Sequence, residues 1–126
     1  MKTNQFVGKC SGKSQYNGNP VGTEFFTEEI QFAMNFYAAQ KGQDFVQIFY
    51  GQSLEAGDHE LKVGPEEEAK LEYKVGNIIH RPQGTVKVMV SSDLDKQVGT
   101  FDASYLDGIG RPILFKGEFE GQYFLK

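Results

Sequence analysis

From residue 30 onward, apolar and polar residues alternate in short runs that Gly, Asp, Asn and Pro interrupt. A repeat of two belongs to a strand with one face on a core and the other in water. Ile30, Phe32, Met34, Phe36 and Ala38 form one apolar set, with Gln31 and Asn35 opposite. After Lys41-Gly42-Gln43-Asp44, Val46, Ile48 and Tyr50 form the next, with Gln47 opposite, so the two runs read as a hairpin. His59, Leu61 and Val63 alternate with Glu60 and Lys62, and beyond Gly64-Pro65, Leu71, Tyr73 and Val75 alternate with Lys70, Glu72 and Lys74, which predicts a second hairpin. Val86, Val88 and Val90 then lie across an Asp93 to Gln97 turn from Phe101, Ala103 and Tyr105. Asp107-Gly108 predicts a type I′ turn, whose two central residues both need positive φ. The following strand carries Ile113, Phe115 and Phe119 inward and Lys116, Glu118 and Glu120 outward.

The segment 27–41 supports two readings. Thr27 suits a helix cap, Glu28 and Glu29 suit a first turn, and Phe26, Ile30, Ala33, Met34 and Tyr37 would share a helical face. The strand reading is preferred because 44–50 offers it a hairpin partner; a helix would make the fold α+β. The whole pattern predicts a single all-β domain over residues 1–126, a small antiparallel β-sandwich, with a small β-barrel as the alternative closure. The pattern lacks any repeat of 20 to 50 residues, which argues against a solenoid or propeller.

Composition narrows the function classes. Apolar residues recur between the fifteen glycines, so the glycines mark turns rather than a disordered linker. A net charge of −4 argues against nucleic acid and against an anionic membrane surface, both of which need clustered cations. The single cysteine, Cys10, excludes an intramolecular disulfide. Neither a signal-peptide core in the first twenty residues nor an apolar run of membrane-spanning length is visible. A cytoplasmic location is therefore expected, with a mature secreted form as the alternative. Exposed strand edges would allow a homodimer by sheet extension, and Lys70, Lys74, Lys87, Glu118 and Glu120 are candidates for protecting them in a monomer.

Catalytic and metal templates fit poorly. Gly12-Lys13-Ser14 ends like a phosphate loop, but Val7 stands where the first glycine belongs and no parallel α/β unit follows. Cys10, His59 and His80 lack the short spacings of a zinc site. Asp93, Asp95 and Gln97 resemble the start of a calcium loop, yet Val98 replaces its glycine and Ser104 its bidentate carboxylate. Gly51-Gln52-Ser53-Leu54-Glu55 lacks the second glycine of a nucleophile elbow. Glu66-Glu67-Glu68 reads as a solvated turn. No catalytic residue, metal or cofactor is predicted.

The run from Gly57 to Glu120 carries Gly57-Asp58-His59-Glu60-Leu61, Gly84-Thr85-Val86-Lys87-Val88, Val98-Gly99-Thr100-Phe101-Asp102-Ala103 and Lys116-Gly117-Glu118-Phe119. It resembles small bacterial β-sandwich domains of unknown function, often found in envelope proteins. The resemblance implies the fold and no functional residue. The expected function is that of a non-enzymatic binding or structural interaction module for a protein or glycan. One alternative is a carbohydrate-binding domain using Tyr16, Asn17 and Asn19, whose ring and amides suit sugar contact but also suit an ordinary turn. The other is a barrel carrying a small apolar ligand, which the Phe-rich strands could enclose.

Overall fold

A computed structural model describes residues 5–124. Among these residues the chain forms strands without helices. They are β1 (Phe6–Tyr16), β2 (Asn19–Thr27), β3 (Ile30–Ala33), β4 (Phe36–Lys41), β5 (Asp44–Phe49), β6 (Gly57–Val63), β7 (Lys70–Val75), β8 (Ile78–His80), β9 (Gln83–Val90), β10 (Lys96–Leu106) and β11 (Pro112–Tyr123). They build a six-stranded sheet in the order β2-β1-β11-β10-β9-β6 and a five-stranded sheet in the order β3-β4-β5-β7-β8. All strand pairings within the two sheets are antiparallel. The sheets face one another across a common apolar core and do not close into a barrel, so the sandwich is the fold and the barrel alternative is excluded.

The inward sets largely follow the expected alternation. Val46, Ile48 and Tyr50 from one sheet meet Val86, Val88, Phe101, Phe115 and Phe119 from the other, all buried. Burying each such side chain contributes roughly 1.5–3 kcal/mol against leaving it in water. The long strands of the six-stranded sheet need glycine at inward positions because aromatic rings lie flat across them. Gly117 is the register partner of Phe101, and Gly99 that of Phe119. A Cβ on either glycine would enter its partner's ring. Each Phe thus covers the bare backbone of the neighbouring strand, a cross-strand arrangement that packs a glycine without a void.

Several expectations are corrected. The segment 27–41 is the β3–β4 hairpin and not a helix: Ala33 pairs with Phe36 around a two-residue turn at Met34-Asn35. Partners across such a turn differ by an odd number, so the inward set passes from Ile30 and Phe32 to Tyr37 and Ala39, leaving Phe36 and Ala38 outside. The capping chemistry at Thr27 exists but serves a corner between sheets. Its hydroxyl accepts from the Glu29 amide at 3.1 Å and donates to the Gln40 carbonyl at 2.7 Å. The predicted second hairpin is also absent, because β6 pairs with β9 and β7 with β5 and β8, in opposite sheets. Asp107-Gly108 begins a five-residue loop closed by the Leu106–Pro112 pair, with positive φ at Gly110, whereas the tight turn with two positive φ values is Asn17-Gly18. Lys70, Lys74, Lys87, Glu118 and Glu120 lie on β7, β9 and β11, none of them an edge strand.

Candidate functional site

The outward face of the six-stranded sheet carries an open groove of about 750 Å³ that crosses all six strands. Register fixes its floor as two aligned rows. One row runs Lys9, Glu120, Val98, Met89, Asp58 from β1 to β6. The other runs Phe26, Ser11, Glu118, Thr100, Lys87, Glu60 from β2 to β6. Inward neighbours such as Cys10, Phe119 and Val88 are buried, so alternation alone sends these side chains outward. Side-chain length then contributes relief. Val98 and Thr100 on β10 are short and β-branched, while Glu118 and Glu120 on β11 and Lys87 and Met89 on β9 are long, which leaves a trough over β10.

The groove mixes chemistries. Phe26 is 46% exposed, and Met89 and Val98 each 37%. Glu24, Asp58, Glu60, Glu118 and Glu120 set five carboxylates against the ammonium groups of Lys9 and Lys87. Among the described residues, ion pairs join Arg81 to Glu72, Arg111 to Asp107 and Lys116 to Asp102, and none involves a groove side chain. The groove therefore offers exposed apolar area and charges not committed to one another within 4 Å, the materials of a binding surface.

Beneath the groove, polar side chains tie the sheets together. The Tyr50 hydroxyl donates to Gln97 Oε1 at 2.6 Å, and Gln97 Nε2 donates to the Ala33 carbonyl at 2.9 Å. Burial raises the Tyr50 pKa above its ordinary value, holding the phenol as a donor.

Of the sequence-predicted candidates, His59 lines the groove on β6, while Tyr16, Asn17, Asn19, Cys10 and His80 lie outside it. Tyr16, Asn17 and Asn19 belong to the β1–β2 turn, where both asparagines are exposed. The guanidinium of Arg111 stands 4.8 Å from the Tyr16 ring centroid and occupies one ring face. Arg111 is itself held by Asp107, which accepts from the Arg111 Nε at 2.7 Å and from the Arg111 and Ile109 amides. Cys10 is fully buried, and desolvation pushes its thiol pKa up to about 12, which suppresses the nucleophilic thiolate. His59 is half-buried on β6, with Nε2 2.6 Å from the Glu55 carbonyl. His80 sits on β8 of the other sheet, stacked 3.9 Å from the Tyr105 ring. Asp95 accepts from the Ser91 hydroxyl while Gln97 points into the core, so the calcium-like spacing does not converge.

Alternation along the last strand sends Lys116, Glu118 and Glu120 outward, but alternation alone does not assemble the groove. The available signal was the alternation of short Val98 and Thr100 on one strand with long charged residues on the strands before and after it. Its meaning depends on register, which a single sequence does not supply. In comparisons with protein-family models, curated proteins and solved structures, no match to this chain emerges.

Proposed function

We propose that the protein is a non-enzymatic binding module whose ligand lies across the outer face of the six-stranded sheet. The observation that carries this reading is the groove itself: exposed Phe26, Met89 and Val98 sit among carboxylates that, among the described residues, no lysine approaches within 4 Å. A concave surface with apolar area and a few convergent polar groups is the usual form of a binding site. The burial and raised pKa of Cys10 weigh against thiol catalysis, and the separation of His59 and His80 onto different sheets weighs against their acting as a pair. A glycan is the alternative ligand class, with Asn17 and Asn19 as its exposed contacts at the β1–β2 turn.

The test is a heteronuclear NMR screen of peptide pools and an oligosaccharide panel against the wild-type protein and Thr100→Arg. That substitution fills the trough with a long side chain from an exposed position. Ligand-induced shifts at Ser11, Val98 and Thr100 that vanish in the variant are expected. Shifts confined to Tyr16, Asn17 and Asn19 would move the site to the turn. Turnover of a substrate that is lost on changing Glu118 or Asp58 would replace the binding reading with an enzymatic one.

A further inference from the structure

The groove's charges are arranged as two poles. Glu118 and Glu120 project from β11, and Asp58 and Glu60 project from β6. Between the poles, the row from Glu120 to Asp58 consists of Val98 and Met89, each over a third exposed. Lys9 is the register partner of Glu120 and Lys87 that of Glu60, yet among the described residues neither comes within 4 Å of a carboxylate. Counting Glu24, the groove sets five carboxylates against two lysines, an excess of three acidic side chains. Each pole keeps two carboxylates against the one lysine beside it, and the row between Glu120 and Asp58 is apolar, while Thr100 and Lys87 occupy the other row.

The spacing of the poles selects a ligand geometry. From β11 to β6 is three strand intervals, or about 14 Å at the usual separation of ~4.8 Å. In an extended peptide, residues i and i+4 are about 13 Å apart at ~3.3 Å per residue, and i, i+2 and i+4 share one face. Resting on the proposed groove reading, we infer that the ligand is an extended segment of a partner protein with Lys or Arg at i and i+4 and an apolar residue at i+2. One cation meets Glu118 and Glu120, the other meets Asp58 and Glu60, and the central side chain packs on Val98 and Met89. A cation-free ligand would leave both poles crowded with like charges and gain only the apolar contact.

Titration of the full chain with a synthetic peptide of core Lys-Thr-Val-Thr-Lys, capped at both ends, tests this inference. Amide shifts centred on Val98, Met89 and Thr100 are expected. Affinity should fall about fivefold in E118Q/E120Q and again in D58N/E60Q, and should weaken as salt rises. All four carboxylates are exposed, so unchanged urea midpoints would confirm that the variants remain folded. A core of Lys-Val-Lys, whose cations are too close to reach both poles, should bind more weakly than the five-residue core. Equal binding by Glu-Thr-Val-Thr-Glu, or oligosaccharide binding in the groove that ignores the carboxylate variants, would overturn the cationic-segment inference and leave the groove reading intact. If no peptide or sugar shifts the groove residues, both fail.

Discussion

The Tyr37 hydroxyl, carried by β4 of the five-stranded sheet, donates to the main-chain carbonyl of Glu120 in the facing sheet at 2.7 Å. The Lys9 carbonyl, on the strand beside it, lies 3.1 Å from the same hydroxyl. Lys9 and Glu120 are register partners whose side chains enter the groove. Tyr37 therefore pins the core to the underside of the site. Burial, with a smaller contribution from Cys10, raises its pKa well above the ordinary phenol value, so it remains a donor.

Tyr37→Phe keeps the ring tilted against Phe119 at 4.7 Å between centroids and deletes only the hydroxyl. The loss removes the single buried O–H donor to the Glu120 carbonyl and should cost about 1–3 kcal/mol. Urea denaturation should show a lower midpoint with an unchanged slope. A midpoint equal to that of the wild type would mean that water replaces the donor.

Gly117→Ala should be among the most damaging small substitutions in the chain. Its Cβ would collide with the Ser11 carbonyl and the Phe101 ring, and neither the ladder nor the filled core can yield cheaply. A loss of about 2–4 kcal/mol is expected. Gly108→Ala is the matched control, because a Cβ there meets nothing within 4 Å. It should stay within about 0.5 kcal/mol of wild type. Similar losses at both positions in a thermal or chemical melt would show that backbone entropy, not steric room, governs these glycines.

Leu94 offers a gain. It has φ of 64° in the β9–β10 turn, a left-handed conformation that strains a residue with a Cβ. Its side chain is 42% exposed, so little burial is forfeited on removal. Leu94→Gly should raise stability by roughly 0.5–1 kcal/mol, read as a higher urea midpoint. A lower midpoint would show that the unfolded-chain entropy of glycine outweighs the relief.

How far the sequence revealed the structure depended on what each residue had to know about distant ones. Val46, Ile48, Leu71, Tyr73, Val86 and Phe101 were legible as inward because alternation within a strand is local. The Met34-Asn35 turn was not, since neither residue is Gly or Pro and the apolar character continues through it into Phe36 and Tyr37. The parting of β6 from β7 was equally hidden. Both strands alternate well, but alternation does not state which sheet supplies the partner, and here the chain crosses the sandwich between them. The groove compounds that difficulty, because Val98 comes to lie between Glu120 and Met89 only through two independent registers.

His80 gives the fold a defined response to acid. Its ring is half-buried and stacks 3.9 Å from Tyr105 at an interplanar angle of 25°, with Tyr73 6.0 Å away. Desolvation lowers its pKa below the ordinary 6.5. The unfolded chain therefore takes up a proton at this position at a higher pH than the folded one does. Where the unfolded state binds more protons, stability rises with pH. The contribution of His80 is thus fully present above pH 6.5 and is lost as pH falls from there to its folded pKa, below which the loss levels off. His80→Phe keeps a ring against Tyr105 without the titration. The difference in urea midpoint between wild type and variant should therefore shift against the wild type on going from pH 8 to pH 5. A constant difference would mean that burial does not perturb the imidazole. A shift of opposite sign would mean that attraction between the imidazolium and the Tyr105 ring outweighs the cost of desolvating the charge.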